Sequence, residues 1–124
     1  MIPKYRAWDK EFKEMVQVDA MVFDEQIIKV TYKNGNIVKE DLKNYVLMQS
    51  TGFRDKNGKE IFEGDIIDST DSFMTGVVEF REALGMFVSD LVEYNNFERL
   101  CNVASSRKII GNIWEHPELA EVSS

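Results

Sequence analysis

Residues 47–67 read LMQSTGFRDKNGKEIFEGDII, and the alternation of apolar runs with turn residues in this stretch decides the fold class. Val46 to Gln49 is an apolar run of strand length, and Thr51-Gly52 is expected to break it. Asp55-Lys56-Asn57-Gly58 has the composition of a tight turn, because Asn and Gly tolerate the positive φ that such turns require. Ile61-Phe62 resumes the apolar pattern, Glu63-Gly64-Asp65 interrupts it, and Ile66-Ile67 continues it. A glycine inside a strand pattern marks a bulge or a close backbone approach. Gly64, with Asp65 beside it to accept turn amides, is therefore expected to turn a corner of a small barrel rather than to line a binding site.

Working outward, the residues before this stretch read as antiparallel strands. Tyr5 to Trp8 is a short strand, and Pro3, which lacks an amide donor, places it at a sheet edge. Lys10 to Glu14 is a polar connection around Phe12. Met15 to Phe23 is a broken apolar run, and Ile27 to Tyr32 is rich in β-branched residues. Lys33-Asn34-Gly35-Asn36 then gives the clearest hairpin turn, returning through Ile37-Val38. Glu40 to Tyr45 has the spacing of a short helical turn.

The residues after the stretch continue in the same style. Met74 to Arg81 and Met86 to Val92 are strands joined by a turn at Gly85. Asn95-Asn96 is placed to cap a helix with Phe97, Leu100, Cys101 and Ala104 on one apolar face. Lys108 to Ile113 is a further strand, with Gly111 read as a turn position. Pro117 and Glu118 suit the start of a terminal helical turn. The expected fold is α+β and mainly β. It has an N-terminal antiparallel region over residues 1–45 and a small barrel of the SH3 type, with a short terminal helix, over 46–124.

Composition bounds the function. The chain has 124 residues, 44% hydrophobic and 30% charged, which suits a folded domain without a need for metal or disulfide. Residues 1–45 carry eight Lys/Arg against eight Asp/Glu, whereas 46–124 carry seven against fourteen, so the second part holds the entire net charge of −7. An acidic surface opposes approach to phosphate backbones and anionic lipids. The single cysteine, Cys101, excludes an intrachain disulfide and fits a reducing cytoplasm. No apolar run approaches the roughly 20 residues that span a bilayer, so no membrane partner is expected.

A search for chemistry is largely negative. His116 is the only histidine, which excludes a paired-His zinc site; it is expected to cap a helix or face water. Cys101 on an apolar helix face reads as a packed thiol rather than a nucleophile. No glycine-rich phosphate loop is present. Asp65, Asp68 and Asp71 recur every third residue and read as a solvated acidic loop, not a calcium or magnesium site. No cofactor, metal site or catalytic residue is assigned, and the chain reads as non-enzymatic. One surface remains: Arg6, Trp8, Lys10 and Lys13, with Lys4 and Tyr5, interleave basic and aromatic residues. Such a strip is a candidate interaction surface, and mixtures of this kind stack on unpaired bases.

Three blocks in order resemble one family. They are Tyr5-Arg6-Ala7-Trp8-Asp9, the 47–67 stretch, and Ile110-Gly111-Asn112-Ile113 followed by Pro117-Glu118-Leu119. Together they are similar to the signature of the YopX family of phage and prophage proteins. The resemblance implies a phage-encoded protein with an SH3-like barrel, a homo-oligomer, and no assigned activity. Ser50 stands where the family often carries an aromatic residue, so no stacking role is carried to it. The expected function is an interaction module in the host bacterial cytoplasm, binding a bacterial or phage protein or its own copies. The alternative is a nucleic-acid-binding accessory factor using the N-terminal strip. Asn57, Gly58, Gly64, Asp65 and Gly111 are expected to serve structural turns.

Overall fold

The computed structural model describes residues 4–122. They are mainly β, in antiparallel pairings, and form two units, Met1–Gln49 and Ser50–Ser124. The charge division follows this boundary, because residues 46–49 carry no charge.

The first unit contains β1 (Tyr5–Asp9), β2 (Glu14–Val22), β3 (Ile27–Thr31), β4 (Ile37–Asp41) and the start of β5 (Tyr45–Arg54). These lie in the order β4-β3-β2-β1-β5. The hairpin at 33–36 forms because Gly35 takes φ 90° and the Asn34 side chain accepts the Asn36 amide at 2.9 Å. Leu42–Asn44 is a 3-10 turn capped by Asp41, whose carboxylate accepts the Lys43 amide. Ala7, Val16, Ile28, Val30 and Tyr45 make the buried core. The period-two alternation of β3, with Ile28 and Val30 inward, supplies two of these.

β1 corrects the sequence reading. It pairs with β2 on one side and β5 on the other, so it is an interior strand. Pro3, on which the edge expectation rested, lies outside the described residues. β4 is instead an end strand of the sheet.

β5 is a second correction. It runs through Thr51-Gly52 without breaking, and its later residues pair with β6 (Glu60–Phe62) around a register shift between Ser50 and Arg54. Gly52 takes φ 80°, and the Thr51 hydroxyl donates to the Ile61 carbonyl while accepting the Phe53 amide. Side-chain bonds replace the missing ladder bonds, so the result is a bulge rather than a strand end.

The second unit adds β7 (Asp65–Asp68), β8 (Gly76–Arg81), β9 (Met86–Leu91), β10 (Phe97–Arg99) and β11 (Lys108–Asn112). Five strands form a sheet in the order β10-β9-β8-β7-β11, and neither sheet closes on itself. Ile61, Ile67, Val78, Leu100 and Ala104 are its buried core. The expected helix is shorter than its apolar spacing implied. Phe97 lies in β10, and only α1 (Leu100–Val103) and a following 3-10 turn are helical. Leu100 and Ala104 are buried, but Cys101 is exposed, which overturns its placement on the apolar face. Helical residues four apart share a face, so Leu100 and Ala104 both turn inward, while Cys101, about 100° round from Leu100, faces out.

The turn residues stand as follows. Gly58 has φ +81° and Gly64 has φ +85°. Gly64 also accepts the Ile113 amide and donates to the Val78 carbonyl, so it is bonded on both sides. Asn57 donates its amide to Asp55, and Asp65, 2% exposed, accepts the Phe62 amide at 2.8 Å. Gly111 is not a turn residue: it lies within β11, at a bulge, where a Cβ would stand 2.6 Å from Nδ1 of His116. Asp65 and Asp68 are buried, at 2% and 6% exposure, so these two belong to β7 and not to a solvated loop.

The φ values give a first expected result. Gly64→Val should lower stability by about 2 kcal/mol and Gly58→Val by about 1 kcal/mol, because a β-branched residue resists positive φ. The ordering follows from burial. A side chain at Gly58 meets nothing within 4 Å, whereas Gly64 is buried and bonded through both its amide and its carbonyl. Urea denaturation checks it, and equal midpoints for both variants and the wild type would contradict these turns.

Candidate functional site

The first unit contains an open groove of about 450 Å³ lined by Phe12, Glu14, Tyr32, Asn34, Asn36, Val38 and Glu40. The β1–β2 connection, the first residue of β2, the β3–β4 hairpin and β4 itself supply it. Neither a lysine nor an arginine lines it. Phe12, at 68% exposure, stands at its mouth. The loop that carries Phe12 is held by Asp9, whose Oδ1 accepts the amides of Glu11 at 2.9 Å and Phe12 at 3.1 Å.

Beneath the groove runs a chain of polar contacts. The Tyr32 hydroxyl donates to Asp9 Oδ2 at 2.5 Å. The Tyr32 and Tyr45 hydroxyls are 2.8 Å apart, and the Tyr45 hydroxyl is 3.3 Å from Glu40 Oε2. Burial, reinforced by the bonds to Asp9 and Tyr45, pushes the Tyr32 phenol well above its ordinary range. Burial likewise raises Tyr45, with Glu40 and Asp9 adding to it against the opposing bond from Tyr32. Both phenols therefore stay protonated and act as donors.

Tyr32 commits its proton to Asp9, and the Tyr45 hydroxyl donates to Glu40 Oε2 across the longest of the three contacts. The other carboxylate oxygen of Glu40 accepts no hydrogen bond among the described residues. This half-buried carboxylate keeps acceptor capacity for a donor from outside.

The basic-aromatic strip is arranged differently from its sequence reading. Trp8 is 8% exposed and lies between Met15 and Val46 in register. It is not presented as a platform for stacking. Arg6 is half-buried opposite Gln17 and Met48. Lys10 and Lys13 are exposed, and Lys10 Nζ donates to the Lys43 carbonyl at 2.9 Å. Lys13 takes φ 53°, closing the loop through its amide to the Asp9 carbonyl. The exposed aromatic of this region is Phe12. The signal for it was present: Phe12 is the one apolar residue in an otherwise polar connection.

His116 occupies the position before the 3-10 turn Pro117–Ala120 but makes no capping bond with its side chain. Its Nδ1 faces the Asn112 amide at 3.3 Å instead. Among the described residues, no three His, Cys, Asp or Glu side chains are grouped to hold a metal ion. No helix among them is long and apolar enough to cross a membrane.

Comparison with known proteins places this geometry. The family model described as YopX protein matches residues 4–121. The crystal structure of protein EF1440 from Enterococcus faecalis is 30% identical, with a TM-score of 0.69 over 98% of this chain and 99% of that one. The crystal structure of protein yopX from Bacillus subtilis is 24% identical, with a TM-score of 0.57 over 93% and 95% of the two chains, and shows likeness of fold. None of the curated proteins compared matches the chain.

Proposed function

Because this chain belongs to the YopX family, we propose that it is a non-enzymatic interaction module of phage or prophage origin. It acts in the host bacterial cytoplasm and binds a protein partner or its own copies. The observation that carries this reading is the apolar exposure around the groove and the β4 edge. Phe12 is 68% exposed and Ile37, the first residue of β4, is 60% exposed. Large apolar side chains beside unpaired strand groups suit burial under another chain. The non-enzymatic reading draws on the phenols, which stay protonated and so supply no phenolate base or nucleophile beneath the groove.

The second unit is read as SH3-like. Its last strand, β11, returns to lie beside β7, the first strand of that sheet, which is the step toward closing a small barrel. The nucleic-acid alternative has Lys10 and Lys13 left to draw on, since Trp8 is buried.

Two measurements test the proposal. Light scattering over a concentration series should show a mass above the monomer if copies associate; a monomer at high micromolar concentration removes that arm. Affinity capture from host lysate, with and without nuclease, should then retain a protein that survives nuclease treatment. A monomer that captures only nuclease-sensitive material would replace this reading with the nucleic-acid one.

A further inference from the structure

We propose that the Phe12–Glu40 groove binds an arginine side chain on an extended, basic segment of a partner protein. The inference rests on the interaction-module reading and names the chemistry of the partner. Two carboxylates, Glu14 and Glu40, line the groove together with the rings of Phe12 and Tyr32, and no cation lines it. No ion pair ties Glu14 or Glu40 to a lysine or arginine among the described residues. The site is thus negative, partly aromatic and uncompensated, which is complementary to a cation with flat faces.

The phenol chain makes the demand more specific. Glu40 Oε2 accepts the Tyr45 hydroxyl over a long 3.3 Å, and the other Glu40 oxygen accepts no hydrogen bond among the described residues. A ligand N–H can bond that oxygen. Guanidinium offers five donors in a plane, so it can bond Glu40 along an edge while a face lies on the Phe12 ring. An ammonium is a compact point charge and meets one of these requirements at a time. Asn34 and Asn36, on the exposed hairpin at the groove's rim, have amide groups suited to the backbone of an extended segment.

The test is a titration of the isotope-labelled protein with N-acetyl-arginine methylamide, followed by backbone amide shifts. The citrulline counterpart, similar in shape but uncharged, and the lysine counterpart serve as controls. Saturable shifts are expected at residues 12–14 and 32–40 with the arginine compound. The citrulline compound should bind about tenfold more weakly, and added salt should weaken the arginine response. Glu14→Gln and Glu40→Gln should each reduce affinity severalfold, with amide dispersion showing that the fold is retained. Absence of saturable shifts, an equal response to citrulline, or shifts confined to other residues would overturn the inference. So would a change in oligomeric mass on Glu14→Gln, which would make a second copy the occupant. A partner captured from lysate in the absence of any arginine response would leave the interaction module standing while overturning this assignment.

Discussion

Asp55→Ala is expected to lower the stability of the protein by about 2 to 4 kcal/mol, the cost of stripping three amide bonds from one buried carboxylate. Asp55 is 6% exposed. Its Oδ1 accepts the amides of Asn57 and Lys59 at 2.9 Å, and its Oδ2 accepts that of Ile109 at 3.0 Å. The first two hold the turn that contains Gly58. The third ties that turn to β11, 54 positions along the chain. A neighbouring backbone bond from the Lys56 amide to the Arg107 carbonyl runs the same way. Asp55→Asn separates the contributions. Its amide oxygen can keep the turn bonds, but its NH2 then faces the Ile109 N–H, donor against donor. A loss of about 1 to 3 kcal/mol is expected for that variant. Denaturant midpoints decide it, and wild-type midpoints for both would show that the tether does not hold the unit together.

The same residue fixes a pH dependence. Burial alone would raise the Asp55 carboxyl, but the amides of Ile109, Lys59 and Asn57 outweigh burial and hold it below its ordinary value of 3.8. The folded pKa is therefore lower than the unfolded one. The stabilisation is fully present above the unfolded value and is lost as pH falls through the folded value. The gap between wild type and Asp55→Ala should narrow as the medium is acidified below the ordinary carboxyl range. A gap that stays constant through that window would assign the loss to packing.

Gly76→Val is expected to cost about 2 to 4 kcal/mol, through overpacking of an interior strand. Gly76 opens β8 and is paired with Ile67 on β7 and Leu91 on β9. A Cβ there would stand 1.9 Å from the Ser89 hydroxyl oxygen, 3.2 Å from Ser89 Cβ and 3.3 Å from the Asp90 carbonyl oxygen. The Ser89 hydroxyl occupies the space of the missing side chain. It is buried and has no hydrogen-bond partner among the described residues. Ser89→Ala alone should therefore leave stability within about 1 kcal/mol of wild type, since it deletes an unsatisfied polar atom. In combination it should recover much of the smaller loss caused by Gly76→Ala. A double-mutant cycle measures this coupling. Strictly additive losses would mean that the backbone at Asp90, not Ser89, opposes the side chain.

These two sites differ in how legible they were. The turn around Gly58 is visible in four adjacent residues, whereas the role of Asp55 depends on Ile109, a partner that no local pattern announces. Gly76 read as an ordinary strand residue, because the hydroxyl opposite it comes from another strand. The candidate groove was hidden for the same reason. Asp9, Tyr32, Glu40 and Tyr45 are separated by intervals that match no motif, and pairing of β1, β3, β4 and β5 brings them together.

What the sequence determined by itself was the local structure and the family. The hairpin at Gly35, the turn at Gly58, the mainly β character and the confinement of net charge to the second part all follow from short-range rules. Positive φ and turn hydrogen bonds are settled within a few residues, and strand propensity shows in β-branched alternation. Tertiary structure alone decided which strand edges were covered. It placed β1 in the interior, carried β5 through its glycine, buried Trp8 and exposed Phe12 and Cys101. The physical reason is that burial and satisfaction of polar groups belong to pairs of segments distant in sequence. A residue's own neighbours set its backbone angles, but the strand that pairs beside it sets which of its faces meets water.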